Sequence, residues 1–162
     1  MRIAGAITVF VCCYYAGFLL SKGEQKAFNQ LSGLIRLLDF MIQRITYSRE
    51  NLGSLFSDFN ERALEECGFL GLLNNPVGAE YDVVWSRAVS LLDVSESVKK
   101  ELYLFGSQLG KTDFATQKER IEMCRNILYS IKKDMEPELD KKRKSIRALG
   151  GLIGAMIVII LF

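Results

Sequence analysis

The chain of 162 residues is 49% hydrophobic and 25% charged, with two prolines, which makes one folded domain of ordinary size and excludes a disordered chain. Its formal charge of +2 is uneven: residues 141–147 carry +5 and Arg2 carries +1, leaving a mildly acidic −4 over residues 21–140 and no reason to expect nucleic acid as a partner. Histidine is absent, which removes Ser-His-Asp and Cys-His catalysis, histidine acid–base chemistry and most zinc sites.

From Ile3 to Ser21 run 19 residues without a charge, close to the roughly 20 that cross a bilayer core as a helix. Arg2 supplies the short basic start of a signal peptide, but no small-residue cleavage pattern stands around Leu19-Leu20-Ser21. A retained anchor over residues 1–21 is the expectation. Cys12 and Cys13 are adjacent inside this run, and Cys67 and Cys124 stand alone farther on. None has a metal or redox spacing, so all four read as unpaired thiols in a reducing compartment, with acylation of Cys12 or Cys13 as the minor alternative.

From Phe28 the pattern changes. Phe28, Leu31, Leu34, Ile35, Leu38, Met41, Ile42 and Ile45 hold an i, i+3, i+4 stripe for five turns, widened by Leu37 and Phe40. This predicts a helix through the middle of a bundle, interrupted at Tyr47-Ser48-Arg49-Glu50-Asn51. Leu52, Leu55, Phe56 and Phe59 predict a second helix, continuing to Leu64. Cys67 to Leu73 is apolar but broken by glycines and ended by Asn74-Asn75-Pro76, which reads as a short helical turn and a loop. Tyr81, Val84, Trp85, Ala88, Leu91 and Leu92 mark the next helix, with Trp85 as its core anchor.

Ser95 is placed to cap a helix that ends at Gly110, and Val98, Leu102, Phe105 and Leu109 form its buried face. Gly110-Lys111-Thr112 ends like a phosphate-binding loop. That loop needs a glycine where Phe105 stands, and it follows a strand, not a helix. The spacing predicts a helix–turn–helix corner, with Gly110 stopping one helix and Thr112 or Asp113 capping the next. Gly106 lies inside the first of these helices, where glycine costs roughly 1 kcal/mol against alanine. Two readings stand side by side: a close approach by another helix, or a tolerated surface glycine.

Ile121, Cys124, Leu128, Ile131 and Met135 predict a long last helix, with Lys118, Glu119, Glu122, Arg125, Lys132 and Lys133 on its solvent side and Pro137 kinking or ending it. The basic run Lys141-Lys142-Arg143-Lys144 and Arg147 leads into an uncharged tail, 148–162, which predicts a second, short anchor. Gly150 and Gly154 have the small-xxx-small spacing that lets helices approach in lipid. Lys22 and Lys26 flank the first run and five cations flank the second. The positive-inside bias then puts residues 22–147 in the cytoplasm and both termini across the membrane. The fold class expected is all-α: an antiparallel cytosolic bundle of about six helices between N- and C-terminal transmembrane helices.

Several of these residues together resemble the stage III sporulation protein AB family of endospore-forming bacteria. They are Gly17-Phe18, Gln30-Leu31, Ile45-Thr46-Tyr47, Trp85, Phe105-Gly106, Leu109-Gly110, Asp113, Gln117, Ile121, and the basic run leading into Leu149-Gly150-Gly151-Leu152. The sequence departs from that family at Glu50-Asn51, where a threonine–proline turn is expected, and at Pro137. The resemblance implies a subunit of a secretion-like channel complex in the mother-cell membrane around the forespore. It also implies a helical domain similar to the platform proteins of type II secretion and type IV pilus machines. The implied partners are the companion cytoplasmic ATPase and other membrane subunits of that complex; a homo-oligomer is compatible with this.

The resemblance implies a non-enzymatic assembly platform, without catalytic, metal or cofactor residues. A small membrane enzyme is the first alternative, but no spacing selects a Ser-Lys dyad or a carboxylate pair. A channel subunit is the second, and between Ile3 and Ser21 and after Arg147 the anchors offer no charged residue from which to build a polar path.

Overall fold

A computed structural model describes the backbone of residues 2–47, 56–75, 80–109 and 114–161. It describes the side chains of those from 23 to 148, apart from Tyr47, Phe114, Arg143, Ile146 and Arg147. Six helices are described: α1 (Arg2–Tyr47), α2 (Arg62–Glu66), α3 (Phe69–Asn74), α4 (Tyr81–Ser90), α5 (Glu96–Gly106) and α6 (Phe114–Leu161). No strand occurs among the described residues. The chain divides into two compact units, Lys26–Lys133 and the pair of segments Met1–Gln25 with Asp134–Phe162.

In the unit Lys26–Lys133 the wide apolar stripe makes α1 the centre. Leu31, Leu34, Leu37, Leu38 and Met41 are each at most 1% exposed, and burying a side chain of this size is worth roughly 1.5–3 kcal/mol. Three sets of neighbours close around it. Toward residues 58–64, the Phe40 and Phe59 rings lie 5.4 Å apart, and Arg36–Glu61 (2.7 Å) and Arg44–Asp58 (2.8 Å) are ion pairs. Toward the loop between α4 and α5, Lys26 pairs with Asp93 at 2.7 Å, and the Asp93 backbone N–H donates to Gln30 Oε1 at 2.7 Å. Toward α6, Asp39 and Arg125 form an ion pair at 2.5 Å and the Lys132 ammonium sits 5.3 Å from the Phe28 ring centre. Residue numbers rise along α1 as they fall along α6, so the two helices run antiparallel. The partly exposed ion pairs are worth little each; they fix register while the leucines supply the stability.

Gly33 lets α2 come close. A Cβ there would lie 2.9 Å from Glu61 Cγ and 3.1 Å from Leu64 Cγ. Leu64 is itself fully buried, so the glycine is a packing requirement that α1 meets at some cost in helix propensity.

Several expectations are corrected. The second helix does not continue to Leu64: Phe56 and Ser57 are helical, Asp58 turns, and Glu61 is extended (φ −143°, ψ 113°) before α2 starts. The break lets Phe59, Asp58 and Glu61 each reach α1; Leu52 and Leu55 lie outside the described residues. The apolar segment after Cys67 holds a helix of its own, α3, entered through Gly68 at φ +83°, a value glycine adopts without strain. Leu91 is 43% exposed, and Val89 takes the buried place on α4. Ser95 stands at the N-cap of α5, but its hydroxyl meets the Ser97 hydroxyl at 2.9 Å and not a backbone N–H. Pro137 does not end the last helix. It is exposed, so the carbonyl it leaves without a donor can be satisfied by water. Arg125 and Lys132 hold α1, unlike the solvated charges expected of that face.

In the second unit, α6 continues beyond Asp134, and Lys142 pairs with Glu24. Among the described residues no helix is long and apolar enough to cross a membrane. The side chains of residues 1–22 and 149–162, on which both expected anchors and Gly150 and Gly154 fall, lie outside those described.

Candidate functional site

The densest constellation of singled-out residues is where α4 crosses α5. Trp85 is 1% exposed. A ring this large, once buried, needs a partner for its N–H, and Nε1 donates to the Leu102 carbonyl at 2.8 Å. Phe69 and Phe105 meet the indole edge-on, at 5.5 and 5.3 Å between ring centres, and Phe56 lies tilted at 6.3 Å.

Gly106 makes this possible. A Cβ on it would come within 2.1 Å of Trp85 Cδ1 and 2.8 Å of Nε1. Of the two readings, close approach is the one found: the indole occupies the space a side chain would need. Leu109, 6% exposed, completes the buried face with Val98, Leu102 and Phe105. The helix then tightens: Gln108 and Leu109 donate to the carbonyls three residues back, Phe105 and Gly106. Gly110, Lys111, Thr112 and Asp113 lie outside the described residues. Gln117, on the first turn of α6, is 8% exposed, and its Nε2 meets no partner among the described residues.

The opposite face of α5 is turned to solvent and is apolar at its centre. Leu104 is 51% and Tyr103 37% exposed, and with Glu96, Lys100 and Ser107 they line a shallow, open depression. A second shallow surface runs along α6 past Met123 and Ile127. Both are open surfaces, unlike the enclosing cleft that a small molecule takes. Among the described residues no group of three or more His, Cys, Asp and Glu could hold a metal ion.

Two polar features have clear physical causes. The hydrogen bond from Lys26 holds the Asp93 carboxyl below its ordinary range, and the same pair raises Lys26 above its own. Asp93's share of stability is present above the ordinary carboxylate range and fades as acid titrates it; Lys26's is present below the ordinary lysine range and fades in strong base. Both side chains are more than half exposed, so water screens the link and its effect is small. Burial, with nearby Glu101, pushes the Cys124 thiol up to about 12. Cys67 is half-buried, with Sγ 3.3 Å from the Leu64 carbonyl, and both cysteines are free thiols. At pH 8 only about one Cys124 in 10,000 is thiolate, the reactive form. Alkylation followed by peptide mapping is therefore expected to find Cys67 modified long before Cys124 in the folded protein. Equal rates would contradict the burial.

The sequence pattern singled out Trp85, Phe105 and Gly106, which the structure brings together in one contact, and Leu109, which is buried beyond them. It missed Gly33, whose signal was a glycine in an otherwise strong helix stripe. It also missed the tie between Gln30, fully buried, and Asp93, for which a buried-stripe polar residue was the available clue.

A family model described as stage III sporulation protein AB matches residues 2–162. No curated protein and no solved structure gives a match. A match over nearly the whole chain, through both apolar ends and the Trp85–Gly106 contact, shows that this chain belongs to the stage III sporulation protein AB family.

Proposed function

We propose that this sporulation protein is a non-enzymatic platform, anchored in the mother-cell membrane through residues 1–21 and 148–162. Its helical body, residues 22–147, lies in the cytoplasm, both termini lie on the other side, and the companion ATPase of the complex docks on the body. The observation that carries this reading is the two-sided character of α5. Its inner face is locked by Trp85 against Gly106, while its outer face offers Tyr103 and Leu104 to solvent. An apolar surface held rigid before a partner arrives loses little freedom on binding, and tyrosine is enriched in such interfaces. The hydropathy of the two uncharged runs and the cations beside them support the anchors and their orientation.

The test uses the full chain in detergent with the assembled ATPase ring. Capture is expected, and Leu104→Glu with Tyr103→Ala is expected to weaken it at least ten-fold while helix content and thermal midpoint stay unchanged. The purified chain itself is expected to turn over no ATP. Absence of capture, or intrinsic turnover, would overturn the proposal.

A further inference from the structure

We infer that the basic block at residues 141–147 is a binding collar for anionic phospholipid headgroups, an inference that rests on the C-terminal anchor proposed above. Three observations point to a planar charged surface as its partner. First, Lys141, Lys142 and Lys144 lie on the regular helix α6 with exposed side chains, and the sequence adds Arg143 and Arg147 to the same block. Successive helix positions turn by about 100°. Four cations in a row therefore take up positions on every side of the axis. A protein partner meets one face of a helix and could use only part of such a ring. A membrane crossed by the helix meets every side that α1, through Glu24, leaves open.

Second, the depth fits. Seven residues rise about 10 Å, comparable with the layer of roughly 5–8 Å that headgroups occupy on each side of the hydrocarbon, and lysine stems reach farther still. The uncharged run begins directly after the block, at Ala148. Third, the sign of charge reverses just before it. Asp134, Glu136, Glu138 and Asp140 give −4 over residues 134–140, against +5 over 141–147. The centres of the two blocks are about 10 Å apart along the helix, more than the Debye length of roughly 8 Å at physiological ionic strength. The end of the block nearer Ala148 therefore feels the lipid phosphates most, while Asp140 and Glu138, well within that length of Lys141, offset part of the charge at its other end. Glu24, paired with Lys142, leaves that lysine the least available of the three.

Each lysine or arginine at such a surface raises its affinity roughly five-fold. Full-length protein is placed in nanodiscs of four parts phosphatidylcholine to one part phosphatidylglycerol, and the lipids retained on release are counted by native mass spectrometry. Phosphatidylglycerol is expected to be enriched several-fold over the bulk ratio. The enrichment should fall to near the bulk ratio in K141Q/K142Q/K144Q and in high salt. It should persist in K100Q/K118Q/K133Q, which removes the same charge elsewhere, and when inorganic phosphate is added to compete. Insertion is scored separately, by carbonate-resistant association with liposomes of phosphatidylcholine alone. A chain that inserts but retains lipid at the bulk ratio overturns the collar and leaves the anchor standing. A chain that fails to insert overturns both. Equal loss of enrichment in the two triple variants would mean net charge alone acts, and would also overturn the collar.

Discussion

Replacing Trp85 with alanine is expected to cost the domain about 4 kcal/mol, within the range of roughly 3–5 for a buried aromatic truncated to alanine. The side chain is 1% exposed, three aromatic rings pack on it, and its N–H is bonded to the Leu102 carbonyl. Alanine would leave a cavity bounded by α3, α4, α5 and Phe56, which rigid helices cannot close over. Trp85→Phe keeps much of the area and loses the hydrogen bond, so a smaller cost of about 1–2 kcal/mol is expected. Because the protein has a single tryptophan, the measurement is urea unfolding followed by circular dichroism, not by fluorescence. A loss below about 1.5 kcal/mol for Trp85→Ala would mean the indole is not the keystone of this core.

The second large effect has an unusual sign structure. Gly106→Ala adds one methyl group and removes the helix penalty of glycine, about 1 kcal/mol, so on an open surface it would stabilise. Here the new Cβ would lie 2.1 Å from an indole carbon, and the indole, packed on all sides, has no free direction in which to move. Overpacking of this kind costs roughly 1–3 kcal/mol or more, and a net loss of about 2 kcal/mol is expected. The same change made in a Trp85→Leu background meets no ring. There it should be neutral or stabilising by up to about 1 kcal/mol, giving a coupling of about 2–3 kcal/mol between the two sites. Additive single and double variants would refute the contact.

What the sequence made legible follows from the range of each signal. Helix stripes are local, and those of α1, α5 and α6 emerged as read: Leu31 to Met41, Val98 to Leu109, and Ile121 to Leu128 are buried along the predicted faces. The break at Asp58–Glu61 was not legible, because Phe56 and Phe59 keep helical spacing up to it while the chain turns to bring Asp58 and Glu61 to arginines 14 and 25 residues earlier. Ser95 shows the same limit at closer range. Its type and place suit a cap, and a neighbouring hydroxyl two residues on captured it instead. Gly106 was ambiguous for a related reason: whether a helical glycine is costly or necessary depends on what crosses it, and Trp85 is 21 residues away in the chain. For Gly110 and Asp113 the corner expectation falls on residues outside those described.

The antiparallel pairing of α1 with α6 sets an order of events during synthesis. The apolar side of α1 is complete once Ile45 is made, yet Asp39 finds Arg125, and Phe28 finds Lys132, only after most of the chain has followed. At roughly 5–20 residues per second on the ribosome, the wait is on the order of 4–17 s. Throughout that time the nascent helix presents a leucine-rich face with its last covering helix not yet translated. First-with-last closure of this kind lengthens the time for which apolar surface stands uncovered. It also makes truncations within α6 a more severe lesion for yield than their distance from the Trp85 core would suggest.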